Sequence, residues 1–113
     1  MKTKVISLVT MMLVLGITTL FAQEVKTEKI KVNGNCGSCK ARIEKAATSV
    51  DGVSKATWNS ETKMLALTYD PGKTDVKKIS TAIAKVGHDT EAAKAEDKDY
   101  QKLPACCQYD RKQ

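Results

Sequence analysis

The spacing of hydrophobic and polar positions changes several times along this chain, and each change predicts an element. Over residues 25–32 the two kinds alternate, with Ile30 and Val32 on one face and lysines on the other, as in a strand buried on one side. Asn33-Gly34-Asn35 is turn chemistry. After Ser38, Ile43, Ala46, Ala47 and Val50 share one face of a helix that stops at Asp51-Gly52. Residues 53–58 and 64–69 read as short strands joined by the polar turn 59–62, and the second alternates Leu65, Leu67 and Tyr69. Asp70-Pro71-Gly72 breaks the chain. A second helical stripe then runs through Val76, Ile79, Ile83 and Val86, with Thr74 or Asp75 as its cap and Gly87 as its stop. A short fourth strand is expected over residues 89–93.

The order strand, helix, strand, strand, helix, strand is that of an α+β, ferredoxin-like βαββαβ sandwich. In this arrangement a four-stranded antiparallel sheet carries both helices on one face. Trp58, Leu65, Leu67, Ile79 and Ile83 fall on the inward period and are the expected core. Following the direction of each element places the loop around residues 33–38 and the Gly87-His88 turn at the same end. His88 is then either a ligand beside that loop or a solvated turn residue.

Residues 94–113 stand outside the pattern as a charged tail that contains Leu103-Pro104-Ala105-Cys106-Cys107. Glu96, Tyr100 and Leu103 share a helical face, and ten helical residues span about 15 Å, enough to return the cysteine pair toward the loop. A disordered polar tail with two incidental thiols fits the composition nearly as well.

At the other end, Lys2 and Lys4 precede an apolar run from Val5 to Phe21 that closes on Leu20-Phe21-Ala22. This predicts a signal peptide over 1–22, a domain over 23–93, the tail over 94–113, and an exported, most simply periplasmic, protein. The run falls short of the roughly 20 residues of a full span, and no stop-transfer charges follow. Stable membrane insertion of the mature chain is therefore not expected. With 19 basic and 13 acidic residues the chain carries +6. Setting Lys2 and Lys4 aside leaves about +4, dispersed, which does not indicate nucleic acid. One His, no nucleophile paired with a base and no phosphate-cradling glycine motif give no expectation of an enzyme.

The chemistry sits in Cys36-Gly37-Ser38-Cys39. Two thiols at this spacing serve a soft metal ion, a dithiol redox centre, half of a structural zinc site or a disulfide. An exporting compartment lets disulfides persist. Neither Cys36 with Cys39 nor Cys106 with Cys107 closes a long loop, however, whereas cross-pairing between the two would. A thiolate is the ligand, and the first turn of a helix favours it through unpaired N–H groups, with Ser38 and Lys40 placed to tune the site. Two sulfurs without an obligatory third ligand suit Cu(I) or Hg(II) better than zinc, which wants four donors. Cys106, Cys107 and His88 are candidate auxiliary metal or redox residues. Met64 reads as packing.

The set Ile30, Val32, Gly34, Cys36-x-x-Cys39, Ile43-Glu44-Lys45-Ala46, Gly52-Val53, Tyr69-Asp70 and Ile83-x-x-x-Gly87-His88 resembles the heavy-metal-associated domain over about residues 24–93. That family includes small copper chaperones, N-terminal domains of copper-pumping ATPases and an exported mercury-binding protein. The resemblance implies Cys36 and Cys39 as ligands of a soft ion, Cu(I) or Hg(II), and His88 at the loop position against the site. It also implies a membrane metal transporter or another thiol-bearing metal carrier as partner. Family members usually carry Gly-Met-x-Cys, whereas Gly34-Asn35-Cys36 lacks the Met and is one residue shorter; the tail cysteine pair lies outside the usual domain. A thiol-disulfide oxidoreductase and a disulfide-stabilised secreted interaction domain are the alternative readings of the same cysteines.

Overall fold

The alternating and helical stripes become elements in the expected order in a computed structural model, which describes residues 25–111. These are β1 (Lys26–Lys31), α1 (Gly37–Thr48), β2 (Val53–Trp58), β3 (Met64–Tyr69) and α2 (Val76–Lys85). The signal-peptide reading of residues 1–22 lies outside the described residues. Among those described, no helix is long and apolar enough to cross a membrane.

The sheet has the order β1-β3-β2, antiparallel throughout. Its register sets Ile30 and Trp58 on either side of Leu65, and Ala56 beside Leu67, so one face collects the apolar side chains of all three strands. Ile43, Ala46 and Ala47 of α1 and Ile79 and Ile83 of α2 close over that face. The five residues expected at the centre are at most 1% exposed. Asp75 caps α2 by accepting the Lys78 N–H at 2.8 Å, and Gly87 follows the helix at φ 103°.

The described residues form a three-stranded sheet, without the full fourth strand expected over residues 89–93. Among the described residues it is reduced to one bridge between Val32 and Thr90. Two side chains replace it. Thr90 closes a tight turn, its N–H reaching Ala93 O at 2.8 Å and its Oγ1 accepting the Ala93 N–H at 2.9 Å. The Glu91 carboxylate accepts the Lys31 N–H at 3.0 Å, a donor that a strand carbonyl would otherwise take.

The tail is ordered against the domain. After Glu96 it forms α3 (Asp97–Gln101), half the length the spacing predicts, and after Pro104 a 3₁₀ turn (Ala105–Cys107). Leu103 and Tyr109 join the core at 5% and 4% exposure. The Tyr109 hydroxyl donates to Gly87 O at 2.9 Å and accepts the Asp89 N–H at 2.7 Å. Arg111 grips both carboxylate oxygens of Asp89 at 3.0 Å, reaches Asp97 Oδ1 at 2.9 Å and covers the Tyr100 ring. Burial works to raise the Asp89 pKa, but the Arg111 and Ala95 donors outweigh it and hold the carboxyl below its ordinary value. This pair therefore stabilises the tail above the unfolded carboxyl range, and its contribution is lost as pH falls through the lowered folded value. Gly87 permits the approach: a Cβ there would stand 2.8 Å from Asp99 O and 2.9 Å from Leu103 Cγ. Residues 94–111 thus form a strap that ends beside the loop before α1.

Candidate metal centre

The loop is built on Trp58. Its indole, 1% exposed, donates Nε1–H to Val32 O at 3.0 Å, and Gly34 lies so close above the ring that a Cβ would meet ring carbons at 3.1 Å. Asn33 N–H donates to Asp89 O at 2.9 Å, which fixes the other side of the loop. The chain is thereby delivered to Cys36, the N-cap of α1.

Cys36 Sγ and Cys39 Sγ stand 3.8 Å apart, and all four cysteines are free thiols. Cys39 is fully buried and accepts the Asn35 N–H at 3.4 Å; Cys36 is half-buried. No full capping hydrogen bond closes on Cys36 in the thiol form. Even so, the amide of Cys39 favours its thiolate most. Partial burial opposes this, and the Ser38 amide and the Cys39 and Cys106 thiols add support, so that its pKa falls from 9.0 to about 6. The strap brings the second pair to the same place. Cys107 Sγ lies 4.0 Å from Cys36 Sγ and 3.9 Å from Cys106 Sγ, and Cys106 O lies 3.6 Å from Cys36 Sγ. Cys107 is fully buried. That burial, with the neighbouring Cys39, Cys106 and Cys36 thiols, pushes its pKa up to about 12.

These values separate the thiols by reactivity. In the metal-free reduced chain, iodoacetamide labelling of Cys36, followed peptide by peptide, is expected to reach half its maximal rate near pH 6, with Cys107 unlabelled through neutrality. A Cys36 midpoint at the ordinary thiol value would show that the helix terminus does not act on it.

Two expected site residues take other roles. The Lys40 ammonium donates to the Glu44 carboxylate and to Trp58 O at 3.0 Å, and Glu44 in turn accepts the Trp58 N–H at 2.8 Å. His88 is neither a solvated turn residue nor part of the sulfur cluster. It is fully buried, with Nδ1 2.8 Å from Asn33 O and its ring stacked on Tyr109 at 5.6 Å. Because a carbonyl can only accept, Nδ1 carries the proton, and burial first of all keeps the ring neutral by lowering its pKa. His88 ties loop to strap. Ser38 acts through its backbone amide. The cation at the sulfurs is Arg42, whose Nη1 lies 3.5 Å from Cys107 Sγ. Its sequence signal is its spacing, one helical turn after Cys39.

The Heavy-metal-associated domain family matches residues 29–89, just over half of the chain. The chain belongs to the heavy-metal-associated domain family. It is 39% identical over 66 residues to a copper-exporting P-type ATPase of Staphylococcus aureus (strain Newman), a stretch that covers 58% of this chain and 8% of that one. Among solved structures, the CopZ metallochaperone superposes with a TM-score of 0.56 at 35% identity, covering 57% of this chain and 98% of that one. Oxidized MerP from Ralstonia metallidurans CH34 superposes with a TM-score of 0.57 at 33% identity, covering 60% and 96%. This heavy-metal-associated domain has the ferredoxin-like α+β fold with its two main helices, and the strap's cysteine pair lies beyond the family match.

Proposed function

We propose that this protein is an exported, periplasmic carrier of one soft metal ion, Cu(I) or Hg(II), captured by Cys36 and Cys39. It passes the ion to the thiols of a membrane metal transporter or another carrier, or holds it as a buffer. The observation that supports this reading is the pair of sulfurs 3.8 Å apart at the opening of α1, the more exposed of them favoured as a thiolate at neutral pH. Binding replaces S–H bonds by sulfur–metal bonds and sends the protons to solvent. A thiolate of a partner then enters the coordination sphere, and one of this chain's sulfurs leaves it. Such exchange is carriage, not turnover of a substrate. Export rests on the character of residues 1–22 and on the chemistry of the cysteines together.

Anaerobic titration of the reduced chain with Cu(I), Hg(II) and Zn(II), each read by competition with a chelator of known affinity, tests the reading. One equivalent of Cu(I) or Hg(II) is expected to bind far more tightly than Zn(II). Absence of Cu(I) and Hg(II) binding, or a preference for Zn(II), would overturn it.

A further inference from the structure

A two-sulfur site makes no use of the strap, yet the strap ends on it. The Sγ atoms of Cys36, Cys106 and Cys107 all lie within 4.8 Å of one another, with Cys107 4.0 Å from Cys36 and 3.9 Å from Cys106. Sulfurs that share one ion through bonds of about 2.3 Å stand about 4.0 Å apart when three surround it. Cys39 lies 3.8 Å from Cys36 and also neighbours Cys107, but it stands outside the trio. Cys36 is therefore common to two ligand sets.

The placement of the strap is over-determined. Arg111 on Asp89, the Tyr109 hydroxyl between Gly87 and Asp89, and Leu103 in the core fix the segment on both sides of Cys106 and Cys107. A third thiolate adds negative charge to the site, and Arg42, 3.5 Å from Cys107 Sγ, is the cation placed to offset it.

We propose that Cys106 and Cys107 complete a three-sulfur site with Cys36 that takes a single soft ion from the Cys36–Cys39 pair and retains it until the strap lifts. The proposal rests on the reading of the chain as a soft-metal carrier. The ion stays bonded to Cys36 throughout: its bond to Cys39 breaks, bonds to Cys106 and Cys107 form, those two thiols release their protons to solvent, and Cys39 takes one up. No electron is transferred. A chain that works this way shields its cargo from competing thiols and delivers it when a partner displaces the strap.

The test uses the full reduced chain and the double variant Cys106→Ser, Cys107→Ser, each loaded anaerobically with one equivalent of Cu(I) and, separately, of Hg(II). X-ray absorption counts the sulfurs around the ion, and excess bathocuproine disulfonate strips the Cu(I). Three sulfurs are expected in the native chain and two in the variant, with Cu(I) leaving the variant on the order of 100-fold faster. Because Cys107 is buried, Arg111→Gln serves as a second variant that keeps every thiol and loosens only the seat of the strap. It is expected to retain binding and to speed release. Two sulfurs in the native chain with equal release from the double variant would overturn the strap site and leave the two-thiol carrier standing. Unchanged release in Arg111→Gln would overturn its gating. A native chain that binds neither ion overturns both proposals.

Discussion

Cys36→Ser is expected to lower the Cu(I) affinity of the reduced chain by roughly 100-fold, because it breaks both the loop pair and the trio and leaves the Cys106 and Cys107 sulfurs, 3.9 Å apart, as a chelating pair. Its sulfur is the hub: Cys39 Sγ lies at 3.8 Å, Cys107 Sγ at 4.0 Å and the Cys106 carbonyl at 3.6 Å. Removing it dissolves the helix-terminus pair and the strap trio together. Cys39→Ser removes one arm only and leaves Cys36, Cys106 and Cys107 within 4.8 Å of one another. A loss of about tenfold is then expected, since an intramolecular ligand set remains. Chelator competition on both variants, with folding checked by circular dichroism, gives the order. Native affinity in Cys36→Ser would remove the loop from the site altogether, and equal losses in the two variants would confine binding to the Cys36–Cys39 pair.

The helices and the three strands were legible because each rests on a repeat that burial enforces: Ile43, Ala46 and Ala47 at helical spacing, Leu65, Leu67 and Tyr69 at strand spacing. The fourth strand was not, because residues 89–93 were read by backbone pattern while Thr90 Oγ1 and the Glu91 carboxylate satisfy the amides instead. Lys40 was read from its nearness in sequence to the thiols. The pairing at i and i+4 with Glu44 was equally visible, and it draws the ammonium to β2. For His88 the topology gave the end of the molecule where it meets Asn33 but not the burial, which depends on Tyr109 in a tail whose two fates the composition barely separates. The match to the family model ends at residue 89 and does not include the strap. Its position follows from contacts more than ten residues apart in sequence, Arg111 with Asp89 and Tyr109 with Gly87. Spacing rules do not reach that far.

Trp58→Ala is expected to be the most destabilising substitution at the floor of the site, at about 3–5 kcal/mol for removing a large side chain from a packed core. In a domain of this size that lowers the thermal midpoint by at least about 12 °C, readable by circular dichroism. Two components add. The indole is 1% exposed, so its loss leaves a void beneath Gly34, and Nε1–H satisfies Val32 O at 3.0 Å, a bond that alanine leaves unmade. Trp58→Phe separates them: it keeps most of the packing and loses the hydrogen bond, with an expected cost of about 1–3 kcal/mol. The position of the ring carries the effect to the cysteines. A Cβ on Gly34 would stand 3.1 Å from the ring carbons and 3.2 Å from Cys39 Cβ, so the loop that presents Cys36 has the indole as its rigid support. Ile79→Ala, an equally buried change in α2, is expected to cost about 2–5 kcal/mol without touching the loop. Measured at a temperature where both variants are folded, Cu(I) affinity should fall for Trp58→Ala and hold for Ile79→Ala. Equal affinities in the two would assign the indole to the core alone and leave the cysteine spacing to α1 and the strap.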